Sequence, residues 1–305
     1  MTGFLLLAAA AALLAVGAEL FAENASAAGR RLGVTALAIG LVLAGAEPEE
    51  LVTAVFASAQ HHPGIAAGDA IGANITMLTL VLGLAAVIRP MRFAGRVRSY
   101  ALAAAAVGVA AAIALLGGSV GRPAGAVLVA LYIGVVALIW WRERQPPAFG
   151  EAAELAEQHG RGTRAALLVV AGVVVMAVGG RLAVAGAERI TSSLGFRESV
   201  VGLTFVALAT TAELFALVWA AARRGVEELA LAGVLGSAAY NATATLGAAA
   251  LIRPLAVTGI SGPAWLAAAL PAALVLWTVA FKQLGRVAGL LLIGTYAAYL
   301  TLTFG

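Results

Sequence analysis

GAEPEEL, Gly45 to Leu51, places three glutamates within four residues inside a stretch that otherwise reads as a membrane span. Hydrophobic residues make up 62% of the 305-residue chain and charged residues 11%. Its apolar runs repeatedly exceed the roughly 18 to 20 residues needed to cross a hydrocarbon core of about 30 Å. A soluble core could not hide that much apolar surface, so the chain reads as an all-α polytopic membrane protein whose main partner is the lipid bilayer. A charged group inside a span costs about 2.5 to 3.5 kcal/mol or more, which makes these acids candidates for function.

Spans are expected at 3–22, 34–58, 64–88, 99–117, 123–141, 165–187, 198–222, 229–252, 263–281 and 284–304, ten helices in all. The first run lacks a basic n-region and a small-residue cleavage site, so it reads as a retained span. Cysteine is absent, which removes disulfides and thiolate metal sites from consideration. The net charge of +4 comes mostly from arginines in short loops. They form no continuous basic face, so nucleic acid is not an expected partner. Loops after the odd-numbered spans carry fourteen Lys/Arg, and the other face only Arg122, Arg189, Arg197 and Arg253. By the positive-inside rule both termini are extracytoplasmic in a multi-pass cell-membrane protein. No P-loop or other nucleotide motif is present, no enzyme activity or cofactor is expected, and oligomeric state is left open.

The long polar segment 142–164, with its Pro-Pro pair, splits the chain into halves of five spans, 1–141 and 165–305, and reads as a cytoplasmic linker. The halves are related. Leu32-Gly33 and Gly40-Leu41 recur 162 residues later as Leu194-Gly195 and Gly202-Leu203, whereas Gly72, Gly83 and Ile88-Arg89-Pro90 recur at an offset of 164. Two residues are thus inserted in the glutamate-bearing stretch. An odd number of spans per half forces the repeats into opposite orientations, the inverted plan of many secondary transporters.

Each half carries an acid at the corresponding place, Glu50 before Leu51 and Glu213 before Leu214. Both sit where local chemistry breaks the helix. Pro48 removes a backbone donor, and Thr210 and Thr211 can bond the backbone and bend it. A broken helix exposes carbonyl oxygens and half-helix ends, which with a carboxylate make a hard-cation site.

The pattern G-A-x-x-(L/F) with a following L-G, then I-G-L or its equivalent, an acid-bearing interruption, and G-x-x-G-(S/A)-N resembles the α-repeats of the cation/calcium antiporter superfamily, whose prokaryotic members are sodium/calcium exchangers. It covers spans 1 to 3 and 6 to 8. The resemblance implies secondary active antiport by alternating access at a midplane carboxylate site between spans 2, 3, 7 and 8, with spans 1 and 6 sliding past the rest. It implies Ca²⁺, Na⁺ or H⁺ as transported ions, with Glu50 and Glu213 as shared metal ligands. The family's G-T-S-x-P-E-L motif is only partly kept. Ala46 and Glu47 stand where threonine and serine would be, and Pro48 is displaced, so an alternative register makes Glu49 the ligand. In the second repeat Thr210 and Thr211 match the Thr-Ser pair and Ala212 replaces proline. Span 8 keeps Ser237 and ends its motif on Asn241. The equivalent motif in span 3, which carries Asn74, ends on Met77, whose thioether suits neither Ca²⁺ nor Na⁺.

Glu47 and Glu50 share a face if the helix continues through them, while Glu49 points elsewhere. Glu47 and Glu49 are either further ligands or solvated vestibule residues. Asp69, the only aspartate, reads either as an N-terminal cap of span 3 or as a functional acid. Asn74, Ser237 and Asn241 suit helix–helix hydrogen bonding as well as ligation. Gly68-x₃-Gly72 is expected to permit close packing, Glu19 to snorkel, Trp140-Trp141 to anchor at the interface, and His61-His62 to lie in a solvated loop. Cation/proton exchange is the second functional reading. An organic-solute carrier with five-plus-five repeats and a transport-dead homologue are the others.

Overall fold

A computed structural model describes residues 1–31, 47–92, 95–143, 162–224 and 227–305. The first part of the expected second span (34–46), the repeat anchors at Leu32-Gly33 and Gly40-Leu41, and the linker from 144 to 161 lie outside the described residues. The first half contributes α1 (Thr2–Arg31), α2 (Pro48–Ala59), α3 (Pro63–Ile88), α4 (Gly95–Leu115) and α5 (Arg122–Glu143). The second contributes α6 (Gly162–Leu194), α7 (Glu198–Thr210), α8 (Ala212–Arg224), α9 (227–252), α10 (Ser261–Phe281) and α11 (Arg286–Phe304). Every expected span with described residues has its helix. Span 7 is divided into α7 and α8, and α2 begins only at Pro48.

Helices α1 and α6, 30 and 33 residues, outrun the expected spans. At 1.5 Å per residue they extend about 45 to 50 Å, more than the hydrocarbon core needs. They lie antiparallel with backbones nearly touching. A β-carbon added at Gly172 would stand 2.7 Å from the Gly17 carbonyl oxygen, and one at Gly186 3.0 Å from that of Gly3. Equivalent helices running antiparallel are what inverted repeats require.

The rest of the architecture repeats with the offset of 164. A π-helical turn at Met77–Val81 in α3 is matched by one at Asn241–Thr245 in α9. Two-residue strands follow the same rule: β1 (Met91–Arg92) corresponds to β3 (Leu255–Ala256), and β2 (Ser119–Val120) to β4 (Gln283–Leu284). They pair across the halves, Met91 with Leu284 and Val120 with Leu255, so each two-stranded sheet is the symmetry mate of the other. Close helix crossings repeat likewise. A β-carbon at Gly247 (α9) would lie 2.7 Å from the Gly125 oxygen (α5), and one at Gly289 (α11) 2.6 Å from the Gly83 oxygen (α3).

The molecule is layered by polarity. Helix α3 is buried along almost its whole length, packed between α2, α7 and α9, while α4, α5, α10 and α11 turn residues such as Leu102, Val127, Leu276 and Leu290 outward. With lipid outside, the usual inside-out argument changes: the buried centre is where the polar side chains gather.

Candidate cation site

Two helix starts define the site. Glu47, with φ −103° and ψ 82°, precedes the first residue of α2, and Pro48 occupies the first helical position. Proline suits that position because its missing N–H would be unpaired there anyway. In the second half the chain breaks at Thr211 (φ −81°, ψ 4°) and restarts as α8 at Ala212. The Thr211 hydroxyl donates to the Ala207 carbonyl at 2.7 Å, and the Thr210 hydroxyl reaches the carbonyls of Ala207 and Val206 at 3.2 and 3.3 Å. The bend expected from the threonine pair is therefore a complete interruption. Both helix N-termini carry glutamates in their first turn, Glu49 and Glu50 in α2 and Glu213 in α8. The partial positive charge of a helix start favours carboxylates there.

The carboxylates of Glu47, Glu49 and Glu213 each bring an oxygen within 4.8 Å of the others. At that separation two full negative charges repel by about 3 kcal/mol at an effective dielectric of 20, so the three remain together only if cations or protons neutralise them. Such a group of oxygens suits a hard cation. Glu47 and Glu49 are 3% and 1% exposed, which rules out a solvated vestibule for either. Glu47 and Glu50 do not share a helix face, because the helix starts after Glu47 and the three-residue spacing has no helical meaning there. Glu49 and Glu213 are each the second residue of their helix, 164 positions apart like the rest of the repeat. Glu49, the alternative first-repeat candidate, thus holds in α2 the position that Glu213 holds in α8.

Glu50 lies beside this triplet, with Asn241 next to its carboxylate and Asp69 and Glu47 within electrostatic reach. It is fully buried, and among the described residues neither its oxygens nor those of Glu49 are paired by a hydrogen bond of good geometry. Asp69 lies two turns inside α3, whose N-cap is His62, so a capping role for Asp69 is corrected. Its Oδ1 accepts a 2.9 Å hydrogen bond from Thr210, and Oδ2 has no partner among the described residues.

The remaining polar candidates fall into two groups. Ser237 donates to a Glu47 carboxylate oxygen, and so belongs to the cluster. Asn74 spends its amide on the Ala238 carbonyl of α9 at 2.9 Å, a helix–helix bond, leaving its oxygen without a partner among the described residues. Asn241 accepts from Thr245 at 3.2 Å and turns its amide toward Glu50. Asn241 opens the π turn of α9, and Met77, fully buried, opens the equivalent turn of α3. The site is thus symmetric in backbone and asymmetric in donors.

Gly68 and Gly72 do permit close packing. A β-carbon at Gly68 would lie 2.8 Å from the Leu203 nitrogen of α7, and one at Gly72 2.7 Å from the Leu203 Cα. That contact sets the distance between Asp69 on α3 and Thr210 on α7. Tyr132 and Tyr240, ring centroids 5.1 Å apart at 80°, stand against Glu47, with Tyr240 also beside Glu49 and Glu50. Reasoning from sequence missed both. The signal available was that Tyr240 is the one aromatic residue of its span and directly precedes Asn241. His62 is not a solvated loop residue either: its ring lies between Glu188 and Glu198, at 2.5 and 2.8 Å.

Comparison with known proteins bears on the family and the fold. The sequence profile of the sodium/calcium exchanger protein family matches residues 2–141 and 164–305. The protein CaxA of Alkalimonas amylolytica is 28% identical over 96% of this chain and 95% of its own. The inner membrane protein YrbG of Escherichia coli K12 is 28% identical over 90% and 88%. Among solved structures, the sodium-calcium exchanger NCX_Mj soaked with 2.5 mM Na⁺ and 0.1 mM Ca²⁺ superposes with a TM-score of 0.65 at 25% identity, covering 99% of this chain and 98% of that one. With both halves matched and the fold shared from end to end, this chain belongs to the sodium/calcium exchanger family, membrane antiporters of small cations.

Proposed function

We propose that this protein exchanges cations across the cell membrane at the site formed by Glu47, Glu49, Glu213 and Ser237, with Glu50, Asp69, Thr210 and Asn241 beside it. The observation that carries the reading is the convergence of three carboxylates at two helix starts, one in each repeat, in the middle of a membrane fold. One acidic site that must hold positive charge, but can hold different cations, couples two fluxes without ATP. Thr211 acts by breaking the helix and Asn74 by tying α3 to α9.

Sodium against calcium is the first reading, by family and by the ions named for the solved relative. Exchange of a metal cation for protons is the second, favoured by one observation. Five buried or half-buried carboxylates crowd a site in which Met77, without an oxygen donor, holds the place that Asn241 holds in the other repeat. Alternating access follows from the α1–α6 pair moving as one body. Its two helices are in backbone contact, and it meets α2 at Gly180, where a β-carbon would lie 3.1 Å from Val52 Cγ1. The repeats are assigned to 1–141 and 165–305 with a cytoplasmic linker at 142–164. The arginine-rich loops favour an arrangement with both termini outside.

Flux in proteoliposomes tests this. Purified protein should drive Ca²⁺ or Na⁺ uptake under an imposed Na⁺, Ca²⁺ or pH gradient. The gradient that works identifies the counter-ion, and absence of cation movement under all three overturns the reading in favour of a transport-dead homologue or an organic-solute carrier.

A further inference from the structure

On the face opposite the arginine-rich loops, the turn between α2 and α3 presents His62 to the second repeat. Its Nε2 lies 2.5 Å from Oε1 of Glu188 on α6, and its Nδ1 lies 2.8 Å from Oε1 of Glu198 at the start of α7. The ring is 20% exposed and the two carboxylates 46% and 35%, so protons reach the group from solvent. A neutral imidazole has one N–H and one lone pair, and can donate to only one carboxylate. Both contacts together need the doubly protonated ring.

We infer that His62 is a protonation-dependent latch that ties α6 to the α3–α7 body on the outer face. This rests on the alternating-access reading above, in which α6 moves against α3 and α7. The contact with Glu198 is internal to a rigid joint, because a β-carbon at Gly64 of α3 would already lie 2.8 Å from Glu198 Cβ and 2.9 Å from the Ser199 nitrogen. Glu188 rides on the other body, so the bond to Glu188 is the one that closes or opens. The charged groups around the ring are few among the described residues. His61 is exposed on the same turn, Arg189 follows Glu188, and the Arg197 guanidinium stands 3.4 Å from where a β-carbon of Gly259 would be. At the end of α9, Arg253 meets α2 through its carbonyl, which accepts from Ser58 at 3.4 Å. At the sequence offsets of the two halves, the counterparts of Glu188, Glu198 and His62 are Ser26, Ala36 and Val226, none of which changes charge near neutral pH. A proton on one side of the membrane would therefore bias one of the two access states.

The absence of cysteine allows a direct measurement. Spin labels at Gln60→Cys and Ser192→Cys, both exposed, report the separation of the α2–α3 turn from α6 by pulsed electron resonance in nanodiscs. Lowering the pH from 8 to 5.5 should enlarge the short-distance population about two- to fivefold, the range a partly exposed ion pair supports. His62→Gln and Glu188→Gln should each abolish that response. A response that persists in either variant, or a native protein with none, overturns the latch. Cation flux measured on the same preparations separates the two readings. Distances that titrate in a protein that moves no cation leave the latch standing and remove the exchanger. Flux without any titrating distance removes the latch alone.

Discussion

Replacing Gly72 with alanine should loosen the joint between α3 and α7 that positions the site. The added methyl would lie 2.7 Å from both the carbonyl carbon and the Cα of Leu203, where ordinary contacts begin at 3.4 Å. The Leu203 carbonyl oxygen is closer still; all three neighbours are backbone, so no side chain can rotate away, and the helices must separate by about 1 Å. Overpacking of this kind costs about 1 to 3 kcal/mol, against at most about 1 kcal/mol regained from alanine's better helix propensity. The net loss is up to about 3 kcal/mol, and at about 2 °C per kcal/mol, the large-domain end of the usual range, the melting temperature in detergent should fall by up to about 6 °C. Gly134→Ala in α5 is the matched control, since nothing lies within 4 Å of its added methyl, and it should leave the melting temperature unchanged or raised. The reasoning is refuted if Gly72→Ala melts at or above Gly134→Ala.

The other expectations concern single bonds and the symmetry. Thr210→Val leaves Asp69 without the hydroxyl it accepts from and should cost about 1 to 3 kcal/mol of stability, read as a fall in melting temperature, while Thr210→Ser restores it. Ser237→Ala removes the hydroxyl bonded to Glu47 and should shift the half-saturating cation concentration in flux assays by about fivefold, the equivalent of roughly 1 kcal/mol. Arg92→Cys with Gln283→Cys, directly paired in the β1–β4 sheet, should form a disulfide on mild oxidation, because opposed antiparallel residues stand about 4.5 to 5.5 Å apart at Cα. After tryptic cleavage of the linker the two halves should then comigrate on gels until reduced, and halves that separate without reductant would contradict the cross-repeat pairing.

Much of this was legible because the membrane makes sequence speak plainly. Apolar runs fix helices when every backbone polar group must be satisfied within its own segment, and the 164-residue offset of Gly83, Gly247 and the Ile-Arg-Pro pair anticipated the matched π turns and paired strands. The helix start at Pro48 and the break at Thr210-Thr211 were readable from backbone chemistry. Their consequence for side-chain direction was not. Whether Glu47, Glu49 or Glu50 turns toward Glu213 depends on which residue starts the helix, and a shift of one position in α2 rotates the answer by about 100°. The His62 contacts and the Thr210–Asp69 bond join residues 136, 126 and 141 positions apart, with no local pattern to announce them. Tyr132 and Tyr240 were hidden for a different reason: an aromatic in a span reads as packing until its neighbours are known.

The central claim is that carboxylates from opposite repeats form one transport site. The measurement that tests it most directly is gradient-driven cation flux by the native protein and by the Glu49→Gln, Glu213→Gln double variant, reconstituted side by side in proteoliposomes. The double variant retains shape and hydrogen-bonding capacity but deprives the Glu47–Glu49–Glu213 triplet of two of its three negative charges. Flux reduced at least about a hundredfold, the equivalent of roughly 3 kcal/mol, is the predicted result. A double variant that moves cations as fast as the native protein would contradict the account.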